Sequence, residues 1–239
     1  MSAPSPRSAI DAARLLALDT GSTRVSIAVA LSGTVVAERA LEQARSSAEL
    51  LLQIDDCLRA AGLRPADLTA IAVLRGPGSF TGLRIGLATV HGLRAALGTA
   101  VAVLPSLRVL AEHGRERRGA ANASHAWIGT VDALRDEWYM QSFAEERAAG
   151  ETRALVPHGD AAIVAASVLA ARAPATVCGF GVRALAARDG WPAQCEALEA
   201  DGVAATAARL APTLPGLWDA ALLTVPLYLR EPAVTLPAR

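Results

Sequence analysis

The sequence predicts a mixed α/β protein, and three observations carry that expectation. Short apolar strands up to Ala40 are joined by tight, glycine-bearing turns. The hydrophobic period then changes from two residues to about 3.6, the helical repeat. From there to Arg117 helices alternate with strands, giving the order β-β-β-α-β-α-β-α.

Leu15 to Asp19 is the first strand, an apolar run ending at a carboxylate. Thr20-Gly21-Ser22-Thr23 is a turn, with Gly21 free of side-chain constraint. Val25 to Leu31, rich in β-branched residues, is the second strand, and Ser32-Gly33 turns it into a third at Thr34 to Ala40. Ser46 to Ala61 reads as a helix, because Leu51, Ile54, Leu58 and Ala61 recur at helical spacing on one face. Gly62 supplies the left-handed stop. Ile71 to Leu74 is continuously apolar, as in a strand covered on both faces. The loop Gly76 to Gly82 enters a helix at Leu83 to Leu97, followed by a strand at Val101 to Leu104 and a helix at Ser106 to about Arg117.

Arg115 to Ser124 reads as a linker. Beyond it Trp127 to Asp132 and Glu137 to Phe143 form a hairpin, and Arg153 to Val156, Ala161 to Ala171 and Ala175 to Cys178 read as strand, helix and strand. The alanine-rich stretch to Ala211 is expected to be helical, and Pro226 to Arg230 an extended closing segment.

Composition narrows the function classes. Hydrophobic residues are 52% and charged residues 19%, with formal net charge zero, which excludes a disordered chain and a generally basic nucleic-acid binder. All 23 basic residues are arginine, so lysine nucleophiles, Schiff bases and a Walker-type lysine are excluded. Cys57, Cys178 and Cys195 are too few and too scattered for a disulfide framework or a zinc site, and fit a reducing cytosol. Residues 1–13 lack the apolar core of a signal peptide and read as a loose tail. No run approaches the roughly 18 apolar residues of a membrane span, and a cytoplasmic protein is expected.

Two loops are candidates for phosphate or nucleotide binding. Asp19, Thr20, Gly21 and Ser22 form a glycine-hydroxyl turn able to present backbone N–H groups, or an ordinary turn whose side chains satisfy local donors. Gly76, Gly78 and Ser79 lie where a strand meets a helix N-terminus, which offers unpaired N–H groups; Ser79 or Thr81 can equally cap that helix. The loop lacks Walker and Gly-x-Gly-x-x-Gly spacing. In the helix that follows, Ala88, Gly92 and Ala95 make a row of small residues, fit either for the protein's own sheet or for a second chain. His91, His113, His125 and His158 form no paired metal-ligand motif and read as surface or loop histidines, so no metal site is expected. Ser79 has no nucleophile elbow, and Asp132, Asp136 and Glu137 read as a solvated turn. No complete active site is visible.

The run Gly76-Pro77-Gly78-Ser79-Phe80-Thr81-Gly82-Leu83-Arg84-Ile85-Gly86, with Leu16 to Thr20 before it and Val131-Asp132-Ala133 and Glu137-Trp138-Tyr139 after it, resembles the TsaB (YeaZ) family. The pattern departs from that family at Ser46-Ser47-Ala48 and at Asp132-Ala133-Leu134-Arg135. The resemblance implies an actin, Hsp70 and sugar-kinase type (ASKHA) α/β fold with two RNase H-like lobes, the second reduced. Its expected division is a tail at 1–13, a first lobe at 14–118 and a second at 119–239.

It also implies a non-catalytic scaffold and activator of the machinery that makes N6-threonylcarbamoyladenosine (t6A) in tRNA. The implied partners are the catalytic paralogue TsaD, in a heterodimer, and the ATPase TsaE. A homodimer is expected when the chain is alone, tRNA contact is expected to be indirect or weak, and no cofactor is expected. The expected partner face comprises Leu51, Ile54 and Leu58 with Arg84, Ala88, Gly92 and Ala95. The competing classes are a stand-alone ATP-dependent small-molecule kinase of the same fold and a glycoprotease-like peptidase. Calorimetry with Mg-ATP separates the first, and the second needs a metal pair or an activated nucleophile. Arg115, Arg117 and Arg118 are the residues through which direct tRNA contact would run.

Overall fold

The computed structural model describes residues 13–119, 125–147, 153–170 and 174–229. Strands β1 (Arg14–Asp19), β2 (Arg24–Leu31), β3 (Thr34–Glu42), β4 (Ala70–Leu74) and β5 (Ala100–Leu104) form one sheet in the order β3-β2-β1-β4-β5. β1, β2 and β3 pair antiparallel, while β4 and β5 extend the sheet in parallel from β1. A second sheet uses β6 (Ala126–Leu134), β7 (Glu137–Arg147), β8 (Arg153–Pro157), β9 (Ala162–Ala165), β10 (Ala175–Gly179) and β11 (Cys195–Glu199). Its order is β11-β10-β6-β7-β8, with β9 paired to β7. Read from its other end it repeats the first: an antiparallel meander, then two parallel strands beside the meander's first strand.

Alternation along the strands decides what lies on each face of the first sheet. Leu16, Leu18, Ile27, Val29, Ile71 and Val73 point to one side, under α1 (Gln43–Ala60) and α2 (Phe80–Leu97). Ala17, Ala28, Ala30, Ala70, Ala72 and Ala102 point to the other. Bulk on the first side fills the space beneath two long helices; alanine on the second lets backbone come close. That second side takes α6 (Ala204–Leu210), whose Ala204, Ala207 and Ala208 are themselves small and buried.

The last helix of each half crosses to the other half. α3 (Ser106–Arg118) follows β5 yet lies on β6, β7 and β10, so closely that a Cβ on Gly129 would overlap the Leu107 carbonyl oxygen. α6 follows β11 and lies on β1, β2 and β3. The closing turn Ala220–Thr224 also returns to the first sheet, burying Leu223 in the core under α2. A division at 118/119 therefore cuts across the packing, because segments on either side of it cover the opposite sheet.

Several expected elements differ. Ala161 to Ala171, expected as a helix, is β9 followed by the short α4 (Ala166–Ala170), with Ala171 outside the described residues. The stretch to Ala211 holds α5 (Val182–Ala186), α6 and the unexpected β11, whose pairing with β10 outweighs the helix preference of its Glu, Ala and Leu. Arg115 to Arg118, expected in a linker, are the last turn of α3, and residues 120–124 lie outside the description. Ala13, expected in the tail, is buried, and its carbonyl accepts from Ser32 N–H; residues 1–12 lie outside the description, as do 230–239 at the closing segment.

Candidate functional site

A cleft of about 380 Å³ opens between the lobes. Each lobe contributes the same two loops. The first lobe supplies the β1–β2 turn (Gly21, Ser22, Thr23) and the β4–α2 loop (Gly78, Ser79, Phe80). The second supplies the β6–β7 hairpin (Val131 to Leu134, with Tyr139) and Phe180, which follows β10.

The two loops of the first lobe are locked together. Ser79 N–H donates to the Gly21 carbonyl at 2.7 Å, and Gly78 must lack a side chain because a Cβ would sit 2.6 Å from that same oxygen. Ser79 Oγ caps α2 by accepting from Gly82 N–H, and the Thr20 hydroxyl donates to the Gly82 carbonyl at 2.8 Å. Asp19 is fully buried behind the turn; its Oδ1 accepts from Gly21 N–H at 3.0 Å and its Oδ2 from the Ser22 hydroxyl at 2.5 Å. Burial outweighs these hydrogen bonds and pushes the carboxyl up to about 6.

Of the seven expected phosphate-loop residues, Gly21, Ser22, Gly78 and Ser79 line the cleft, whereas Asp19, Thr20 and Gly76 stand behind it. The N–H groups of Gly21 and Ser79 are spent on protein acceptors, and the one charged lining residue, Asp132, is acidic. An anion entering the cleft thus meets no cationic side chain among the lining residues, and ordinary turn and cap chemistry accounts for the loops' hydrogen bonds. The far wall, including Tyr139 and Phe180, escaped the sequence reading as a site. It is carried by β6 and β10, the counterparts of β1 and β4 in strand order.

The expected partner face divides in two. Ile54 and Leu58 are core residues under α1, packed with Leu50 and Cys57, and are unavailable to a partner. Leu51 falls outside that buried stripe and is 62% exposed, beside Leu52 at 65%. Ile54, Leu58 and Ala61 keep the expected face, and Leu50, four residues before Ile54, takes the place expected of Leu51. On α2 the buried side is Leu83, Leu87 and Val90, and the small-residue row faces outward: Arg84, Ala88, Gly92 and Ala95 are all exposed. A Cβ on Gly92 would meet nothing within 4 Å. Arg84 lies over the Phe80 ring at 3.9 Å, and Phe80 packs against Tyr228 of the closing segment.

The arginines considered for tRNA are engaged within the protein. Arg115 pairs with Glu112, Arg117 binds both Asp201 oxygens at 3.2 Å, and Arg118 reaches Glu196 at 2.7 Å. Among the histidines, His91 and His158 are exposed as expected, but His113 and His125 are buried, on α3 and just before β6. No group of three or more potential metal ligands occurs among the described residues. No described helix is long and apolar enough to cross a membrane.

Two RNase H-like sheets of one strand order, facing each other across a cleft, define an ASKHA-type protein whose second lobe has reduced crossover helices. A family model described as "TsaD: tRNA N6-adenosine threonylcarbamoyltransferase" matches residues 29–190, and the chain is 32% identical over 135 residues to "tRNA threonylcarbamoyladenosine biosynthesis protein TsaB" of Escherichia coli K12. The chain belongs to the TsaB/YeaZ family. The Escherichia coli match covers 56% of this chain and 56% of the relative, and the Haemophilus influenzae protein of the same name is 33% identical over 56% of this chain and 55% of its own length. The chain thus matches about half the length of these curated relatives. Across the whole fold, YeaZ from Pseudomonas aeruginosa superimposes with a TM-score of 0.70 at 26% identity, covering 90% of this chain and 99% of that one.

Proposed function

We propose that this chain is a non-catalytic scaffold and activator in t6A formation on tRNA, acting in the cytoplasm by pairing with a TsaD-type catalytic subunit, which TsaE joins. The observation that carries the reading is the outward row on α2. Ala88, Gly92 and Ala95, in line with Arg84, leave a row of small exposed residues, and neighbouring α1 exposes Leu51 and Leu52. Small residues let a second helix approach closely, and the leucines add apolar area that water would leave uncovered. The names of the relatives supply the pathway, and the cleft supports the non-catalytic part, since its lining offers no cation for a polyphosphate. Docking on α1 and α2 activates TsaD by binding its competent conformation more tightly than its idle one.

Mixing the purified chain with TsaD and reading both complex formation and tRNA modification tests this. Gly92→Glu is expected to abolish both while leaving the isolated fold intact, because the new side chain starts in open space. Full pairing by that variant would reject the interface. Turnover of nucleotide or tRNA by the chain alone, at enzyme-like rates, would reject the non-catalytic role.

A further inference from the structure

α3 and α6, the two exchanged helices, touch each other, and a buried polar chain joins them. His113 Nδ1 lies 3.0 Å from Thr206 Oγ1. The Thr206 hydroxyl donates to Glu116 at 2.7 Å, and Arg209 holds both oxygens of Glu116 at 2.9 and 2.6 Å. A hydroxyl has one proton to give, and that of Thr206 goes to the carboxylate, so its oxygen accepts from His113. Neutral His113 therefore carries its proton on Nδ1 and leaves Nε2 as a bare lone pair. That Nε2 is buried without a hydrogen-bond partner among the described residues. Facing it at 3.8 Å is the Asp201 carboxylate, which Arg117 already occupies.

We propose that His113 is a pH-sensitive latch between the lobes: as the neutral imidazole it holds α6 against α3, and a proton taken from solvent at Nε2 loosens α6. The new N–H needs an acceptor, and the nearest, Asp201 Oδ1, stands at 3.8 Å, out of hydrogen-bonding reach unless the turn before α6 shifts. The new charge is also buried. Facing it are Glu116 and Arg117 from α3, Arg209 from α6, which Glu38 of β3 also attracts, and Asp201 from the turn before α6. Cys178 of β10, beside Gly114, stays a neutral thiol because burial pushes it up to about 12. Burial first, and then repulsion from Arg117, hold the His113 imidazole below its ordinary value despite the pull of Asp201 and Glu116. The unfolded chain therefore binds the proton more readily than the folded one. The stability His113 contributes is complete above the ordinary value of 6.5 and is lost as pH falls below it. The turn that leads into α6 is tied to β2, since Ser26 Oγ accepts from the N–H groups of Val203 and Ala204, so the effect reaches the first sheet.

Two measurements on the full chain test this. Nitrogen-15 NMR of labelled histidine reads the His113 tautomer and its titration. Hydrogen exchange, corrected for the intrinsic rate, reads α6 protection at about pH 7.5 and about pH 5.5 in wild type and in His113→Asn, which retains a donor near Nδ1 and cannot titrate in this range. The expected results are an Nδ1–H tautomer, a titration below the ordinary value, and acid loss of α6 protection in wild type only. His125 is also buried, but it bonds Thr176 of β10 and not α6, so its protonation leaves the variant's α6 unaffected. An Nε2–H tautomer, a titration at or above the ordinary value, or equal acid loss in the variant would overturn the latch. Should the variant fail to fold, the wild-type NMR decides.

Discussion

The two lobes share one strand order and differ in what covers it. In the first, the crossovers α1 and α2 are 18 residues each and seat a broad apolar side on the sheet. In the second, α4 and α5 have five residues each. α3, borrowed from the first half, spans β6, β7 and β10 on the opposite face, as α6 covers the alanine face of the first sheet, and among the described residues α4 and α5 bury only Ala166, Leu169, Val182 and Leu185 over Ile128, Met140 and Val177. Strand order persists where the pairing of backbone groups fixes it, whereas the length of the crossover helices differs between the halves.

The sharpest way to break this comparison is at Gly129. If the second sheet depends on α3, Gly129→Ala should destabilise the protein by about 3 kcal/mol or more, since the added methyl meets backbone that cannot rotate away. Denaturant unfolding measures it, and a near-neutral result would show that α3 can stand off from β6 without cost. The matching aspartates give the next effect. Asp19 is buried at the end of β1, and Asp132 is exposed near the end of β6, the counterpart strand. The Asp19 carboxyl rises from 3.8 to about 6 on folding, so its ionised form costs stability above pH 6, and the cost fades as pH falls toward 3.8. Asp19→Asn should therefore stabilise the fold by about 2 kcal/mol near neutral pH. Asp132→Asn should change it by less than about 0.5 kcal/mol. Thermal melts of both variants across pH test the contrast, and a stabilised Asp132 variant would reverse it. The smaller gain belongs to the outward face of α2: Gly92→Ala should raise stability by about 0.5–1 kcal/mol, from helix preference alone.

How legible these features were depends on how local their causes are. β1, β2 and β4 were visible because both their faces are buried, which writes continuous apolar runs such as Ile71 to Leu74. The cap at Ser79 and the left-handed stop at Gly62 are equally local, each settled within a turn of its helix. β11 was invisible because Glu196, Ala197, Leu198 and Glu199 favour helix until β10 offers a ladder. The buried state of His113 was hidden for the same reason: Thr206 and Asp201, which surround it, lie far along the chain and meet it only through the helix exchange. In the site, the turn and loop of the first lobe announced themselves by glycine spacing. Their counterparts across the cleft carry aromatic and hairpin residues with no such mark, and only the repeated topology identifies them.

Because α3 roofs the second sheet and α6 roofs the first, neither half is a portable module. A gene shortened to one half would express a layer with a bare flank and a stray helix. The two halves, similar as they are in plan, travel through any rearrangement of the genome as a single heritable unit.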